Sequence, residues 1–329
     1  MTLSLAIVLL LILVAEFVNG WNDAPNAIAT VISTRVLSPF QALAMAAILN
    51  IVGALMSGSA VAFTIGTEIV KLEAIGLPVV AAAALSIAAW GTIATLYGLP
   101  ISISHGLLAG LAGAAAFTAG TRALLWEGWQ KVIIGLGFST LLGFVLALVV
   151  MTAIYWALRA MPRTRVGHVF GRLQILSAAF MAFSHGGNDG QKFMGVFTLA
   201  LVLGRILPEF RVPIWVILLC GTVMGMGTYI GGWRVIRTVG FGLTKLEPLH
   251  GFVAETSAAS AIQIASHFGI PLSTTHTINT AIMGVGATRR LSAVRWGVTR
   301  QIVLTWILTF PACGALGFLF AWVLKPILW

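Results

Sequence analysis

Long unbroken apolar runs dominate this chain, and period-two alternation is nearly absent. Runs long enough to cross a membrane fall at roughly 3–35, 40–65, 78–98, 100–119 and 129–158. A second set falls at roughly 173–206, 213–233, 250–269, 271–288 and 296–325. The pattern predicts an all-α, polytopic membrane protein of about ten transmembrane segments in two sets of five, residues 1–160 and 172–329. The polar link Met161–Gly171 divides them. The first run of each set is too long for one simple crossing, and each carries a Gly-x-Asn-Asp core: "EFVNGWNDAPNAIAT" (Glu16–Thr30) and "AFSHGGNDGQKFMGV" (Ala182–Val196). Both are expected to be broken helices or re-entrant pairs.

Loop charges give an orientation. Lys and Arg gather on the cytoplasmic side, so the link with Arg159, Arg163, Arg165 and Arg172 is expected there. Arg234, Arg237 and Lys245, then Arg289, Arg290 and Arg295, mark further loops on that side. The corresponding first-set loops are nearly balanced: Glu68, Lys71 and Glu73, then Arg122, Glu127 and Lys131. Equivalent loops therefore face opposite sides, as five crossings per set also require, and both termini come out external. Thr2–Val14 has no preceding Lys or Arg and no clear cleavage site, so it reads as a retained first span. The sets also echo each other: "KLEAIGLP" with "KLEPLHGF", and "GLPISISHGLLAGLAGA" with "GIPLSTTHTINTAIMGVGA". Inverted repeats with interrupted helices are a hallmark of secondary transporters, whose site lies at the midplane where the repeats meet.

Composition removes other classes. The chain is 59% hydrophobic and 9% charged, with mean hydropathy +1.01, whereas a soluble domain carries roughly 25% charged residues. The net charge of +10 comes from basic residues between apolar runs, not from a soluble basic face, which argues against nucleic-acid binding. Cys220 and Cys313 both lie in apolar runs and imply neither a disulfide framework nor a zinc site. Trp126, Trp129, Trp215, Trp233, Trp296 and Trp329 flank the runs as interface anchors.

Each half carries two polar motifs. Pro100 and Pro271 suit helix starts. That puts Ser102 and Ser104, and Ser273, Thr274 and Thr275, at helix N-termini, where hydroxyls, free N–H groups and the dipole bind anions. Two such ends converging would surround a small tetrahedral oxyanion without any arginine. Ionised acids inside a membrane are expensive and normally functional. Asp23 and Asp189 would repel an anion, but with Asn22, Asn26, Asn188 and Gln191 they supply hard oxygen ligands for a small cation, tentatively sodium. Glu255 is a further candidate cation or proton site, and Glu16 lacks a counterpart in the second half. The site is thus read as an anion held together with cations.

Plainer readings compete. Thr140, Ser177 and Thr222 fit hydroxyls bonded to their own helix. Asp189 could be a structural partner of Lys192. His105 and His276 read as supporting groups bonded to backbone at the break. Gly110, Gly113 and the small residues of Gly225–Gly232 suit close helix packing. A hydrolase using Ser104 with His105 is disfavoured, because adjacent helical residues diverge by about 100°. A channel is disfavoured by the acids and paired breaks.

"GWNDAPNAIAT", "HGGNDGQKFMGV" and the two proline-led hydroxyl segments resemble the inorganic phosphate transporter (PiT) family, over nearly the whole chain. The resemblance implies a multi-pass protein of the cell membrane, no enzymatic activity and no cofactor. It implies symport of phosphate with sodium or protons by alternating access, and a homodimer. Its paired Asn-Asp positions fall on Asn22/Asp23 and Asn188/Asp189, and its hydroxyl positions on Ser102/Ser104 and Ser273/Thr274/Thr275. Ile103 departs from it, standing where the second half has Thr274. Sulfate or another oxyanion is the alternative substrate. The short link fits compact bacterial members.

Overall fold

The computed structural model describes residues 2–328, so Trp329 lies outside the described residues. Among these residues the chain is built from helices with no named strand. The first half runs α1 (Leu3–Ser33), α2 (Pro39–Met56), α3 (Ala60–Thr67), α4 (Leu77–Tyr97), α5 (Ile103–Ala119) and α6 (Trp126–Ala157). The second runs α7 (Arg163–Leu203), α8 (Ile214–Ile230), α9 (Trp233–Gly242), α10 (Pro248–His267), α11 (Thr274–Ala287) and α12 (Trp296–Leu328). Six helices (α1, α2, α4, α6, α7 and α12) are long and apolar enough to cross a membrane, and α8 with α9 makes a further candidate span bent by 70°. The expected run 40–65 is divided between α2 and α3.

The Gly-Asn-Asp motifs do not break their helices, contrary to expectation. α1 is continuous for 31 residues through Gly20–Asp23 and Pro25, and α7 for 41 residues through Gly186–Asp189. The glycines serve helix approach instead. A Cβ on Gly20 would lie 2.1 Å from the Met224 carbonyl oxygen of α8, and one on Gly186 2.2 Å from the Asn50 carbonyl oxygen of α2. At about 1.5 Å per residue α7 is about 60 Å long, twice the hydrocarbon thickness. Its first turns absorb most of the expected link and carry exposed Arg163, Arg165 and Arg172.

The breaks lie at the other motif pair. α4 ends on Gly98 (φ 73°) and α10 is followed by Gly269 (φ 67°), a left-handed conformation that glycine adopts freely. Short extended segments lead to α5 (17 residues) and α11 (14 residues). These helices reach about 25 and 21 Å, too short to cross alone. Each packs on a long partner: α5 on α12 and α11 on α6. Small residues permit the contact, for a Cβ on Gly113 would lie 2.0 Å from the Gly314 carbonyl oxygen, and one on Gly284 2.4 Å from that of Phe144. Pro100 and Pro271 precede the helix caps by two residues and do not themselves begin the helices.

The apolar interior forms two clusters. One joins the first half of α1, α3–α5 and the end of α7, with Leu5, Ile12, Ile87, Phe193 and Phe197. The other joins the end of α1, α2, α6, the middle of α7 and α9–α11, with Ile28, Met181, Val253 and Ile282. Between them α1 and α7 carry the buried polar stretches from Glu16 to Asn26 and from Ser184 to Lys192.

Candidate functional site

α5 and α11 begin with the same local chemistry. Ser102 caps α5, its hydroxyl accepting from the His105 N–H at 3.3 Å, and Ser273 caps α11, accepting from the His276 N–H at 3.2 Å. The Ser139 hydroxyl of α6 accepts from the Ser273 N–H at 3.0 Å. Both caps are therefore structural, whatever further bonds their hydroxyl hydrogens make. The free first-turn N–H groups and positive dipole ends of the two helices remain.

The next hydroxyls face acids and amides of α1 and α7. Thr274 donates to Asp189 Oδ2 at 2.6 Å, and Thr275 donates to Asp23 Oδ1 at 3.2 Å. Asn26 Nδ2 lies 2.9 Å from Thr275 Oγ1 and 3.4 Å from Thr274 Oγ1. Lys192 donates to Asp189, to Ser104 Oγ at 2.5 Å and to the Leu272 carbonyl at 2.6 Å. That ammonium ties the start of α5 to the segment leading into α11, so the two N-termini converge on it. Asp189 does pair with Lys192, and does so inside the cluster of candidate site residues. All of these side chains are buried.

Asn22 and Asn188 behave alike. Asn22 Nδ2 donates to Thr95 Oγ1 at 2.8 Å, and Asn188 Nδ2 donates to Ser266 Oγ at 2.7 Å. The amide oxygen of each is buried without a hydrogen-bond partner. An unpaired buried acceptor is costly, so two matched orphan oxygens are a specific opening for a cation. Asp23, His185 and Asp189 offer ligand atoms within 4.8 Å of one another. His185 was not anticipated. Asn50 Nδ2 donates to Thr228, so Asn50 Oδ1 faces His185 Nδ1 at 3.1 Å and takes its proton. His185 Nε2 then faces Asp189 Oδ2 at 3.2 Å, a close contact without hydrogen-bond geometry.

Other candidates lie elsewhere. Gln191 caps α3: its Oε1 accepts from Val61 N at 2.9 Å and Ala62 N at 3.4 Å, and its amide donates to the Gly187 carbonyl at 2.6 Å. That accounts for its polar atoms without a cation. Glu255 forms a second cluster, bonded by Thr30, Ser177 and Gln174 (3.2 Å for the last). Ser177 thus also reaches a carboxylate, beyond the plain helix role expected of it. Thr30 is two turns beyond Asp23 on α1, so the clusters are about 10 Å apart. Glu16 accepts from Asn19 at 2.9 Å. His105 and His276 are not bonded to backbone through their rings. They pack against each other (centroids 5.0 Å), with His276 stacked on Trp306 at 3.8 Å, and all four ring nitrogens are without partners.

The sequence carries one signal that was passed over. Glu16, Asn19, Asp23, Asn26, Thr30 and Thr34 recur at three- and four-residue steps, which places them on one face of α1.

Residues 19–317 match the description of the Phosphate transporter family. The chain belongs to this family. It is 41% identical over 320 residues to the "Probable low-affinity inorganic phosphate transporter" of Rhizobium meliloti, covering 96% of each chain. It is 38% identical to the protein of the same name from Bacillus subtilis, covering 99% of this chain and all of that one. It superposes on a solved structure titled "The sodium-dependent phosphate transporter" with a TM-score of 0.91 and 26% identity, covering 99% of this chain and 100% of the other. Membership and the apolar spans make it a multi-pass membrane protein and a transporter, not an enzyme. The Ser104–His105 hydrolase reading also lacks geometry, since the Ser104 hydroxyl is taken by Lys192.

Proposed function

We propose that this protein is a symporter that carries inorganic phosphate together with sodium or a proton. The single observation that supports this most is the meeting of two kinds of group at one buried place. The N-termini of α5 and α11, with Ser104, Thr274 and Thr275, supply anion-binding dipoles and hydroxyls. Asp23 and Asp189, with the orphan oxygens of Asn22 and Asn188, supply cation ligands. Neither set suits its guest alone, because acids repel phosphate and a lone cation leaves the helix ends unused. Phosphate and cation bound together neutralise both. The partly sodium-named relative supports sodium, and the His185–Asp189 contact offers two acceptors to a proton.

Alternating access follows from the same arrangement in this reading. The motif-bearing pairs α1 with α4–α5 and α7 with α10–α11 act as two repeats of opposite orientation, with the site between them. The exposed cluster Arg159, Arg163, Arg165 and Arg172 marks the cytoplasmic end, and both termini face outward.

Uptake of labelled phosphate into liposomes under separate sodium and proton gradients tests the proposal. Accumulation against the phosphate gradient is expected with at least one of the two, and excess sulfate is expected to compete poorly. Uptake indifferent to both gradients would overturn symport. Equal competition by sulfate would overturn the choice of phosphate.

A further inference from the structure

The two Asn-Asp motifs differ at one position that the site uses. Asn188, Asp189 and Lys192 stand in the second motif where Asn22, Asp23 and Asn26 stand in the first. Likewise Ser273, Thr275 and His276 stand where Ser102, Ser104 and His105 stand. The contacts obey this correspondence. Asn22 bonds Thr95 as Asn188 bonds Ser266. Asn26 reaches Thr275 at 2.9 Å as Lys192 reaches Ser104 at 2.5 Å. One position with one kind of hydroxyl partner thus holds a neutral amide in the first half and an ammonium in the second.

The surroundings of that ammonium are those of a bound cation. An ammonium has three donors, and all three are met by oxygens of different origin: the Asp189 carboxylate, the Ser104 hydroxyl and the Leu272 backbone carbonyl. Carboxylate, hydroxyl and carbonyl oxygens are what a small hard cation takes from a protein. Lys192 is about 1% exposed, so its charge is sealed inside the site. On the other side, Asp23 is approached by the Thr275 hydroxyl at 3.2 Å and by no lysine of its own motif.

We propose that the Lys192 ammonium permanently fills the second-half cation site, so that only the first half binds a cation that moves with phosphate. The carrier then couples phosphate to one cation fewer than two matched halves would, because the covalently held charge is not released on either side. This rests on the symport reading, and wild-type uptake tests that reading separately.

Lys192→Asn restores the match with Asn26 and opens the second-half site. In liposomes at fixed pH, this variant is expected to take up phosphate about a hundredfold more slowly than wild type without added sodium. Saturating sodium should restore it, with a sodium dependence steeper than that of wild type by about one site. Lys192→Met, which supplies neither charge nor oxygen, should fall equally and not recover. Wild-type-like uptake by Lys192→Asn without added sodium overturns the proposal, as does its inactivity at every sodium concentration while folded. If Lys192→Asn does not fold, Asn26→Lys decides the matter: it should abolish cation dependence, and retention of the wild-type dependence overturns the idea. Absence of phosphate uptake by the wild-type protein itself would instead count against the transport reading.

Discussion

Asp23 and Asp189 occupy the same place in their motifs, yet they are held very differently. Asp189 is met by Thr274 at 2.6 Å and by Lys192, with His185 against its other side. Asp23 is met by Thr275 at 3.2 Å. One carboxylate has its counter-charge built into the fold, and the other lies within reach of ligands that could receive one. Two copies of a motif need not do the same work: the half with the fixed charge organises the site, and the other half is left to bind a guest.

The largest expected effect separates these two acids. Asp189→Asn leaves a buried ammonium uncompensated, which costs about 3–5 kcal/mol. It should lower thermal stability and expression as well as abolish uptake. Asp23→Asn should abolish gradient-driven uptake with stability near wild type. Melting curves of the two purified variants beside uptake would break the comparison if Asp189→Asn were as stable as Asp23→Asn.

A smaller effect is expected at the hydroxyls. Hydrogen bonds to charged groups contribute about 1.5–3 kcal/mol, so loss of one should raise the apparent phosphate constant by roughly one to two orders of magnitude. Ser104→Ala should lie at the upper end, because the first half has Ile103 beside it. Thr275→Ala should lie lower, because Asn26 Nδ2 already stands 3.4 Å from Thr274 Oγ1 and can turn to it. Thr140→Ala, whose hydroxyl bonds the Leu136 carbonyl of its own helix at 3.1 Å, should change the constant little. Initial uptake against phosphate concentration checks the order. If Ser104→Ala and Thr275→Ala match Thr140→Ala, the anion is bound elsewhere.

The smallest effect is at an exposed pair near the ends of α10 and α11. Arg289 donates to Glu247 at 2.6 Å and holds its carboxyl below the usual glutamate range. A carboxyl whose value is lowered by folding adds stability above the ordinary value near 4.3. That stability is lost as pH falls through the lowered folded value. Arg289→Gln should therefore cost at most about 1 kcal/mol near neutrality, and the difference from wild type should vanish in acid. A melting series over pH checks this. A loss as large as that of Asp189→Asn would show that the helix ends carry as much as the buried site.

Some of this was legible in the residues and some was not. Apolar runs and their lengths marked α1, α4, α6, α7 and α12 within a few residues, since a hydrocarbon solvent admits few backbone solutions. The proline-led segments gave the starts of α5 and α11, because Ser102 and Ser273 cap through local geometry alone. The Gly-Asn-Asp motifs were read as breaks and are not. A glycine in a helix can mark a break or a close neighbour, and only the Met224 and Asn50 carbonyls beside Gly20 and Gly186 decide which. Gln191 looked like a cation ligand by its place in the motif, but it caps α3, a partner far away in the chain.

The sequence alone determined the solvent, the helical class, the paired motifs and the chemistry of their side chains, because these depend on composition and short-range spacing. Tertiary structure alone decided which groups meet. It brought Ser104 of α5 and the Leu272 carbonyl to Lys192 of α7, gathered Thr30, Gln174 and Ser177 around Glu255 from two other helices, and left the Asn22 and Asn188 oxygens without partners. Whether a buried polar atom is paired or left open depends on neighbours that arrive from distant segments, and no local pattern encodes their arrival.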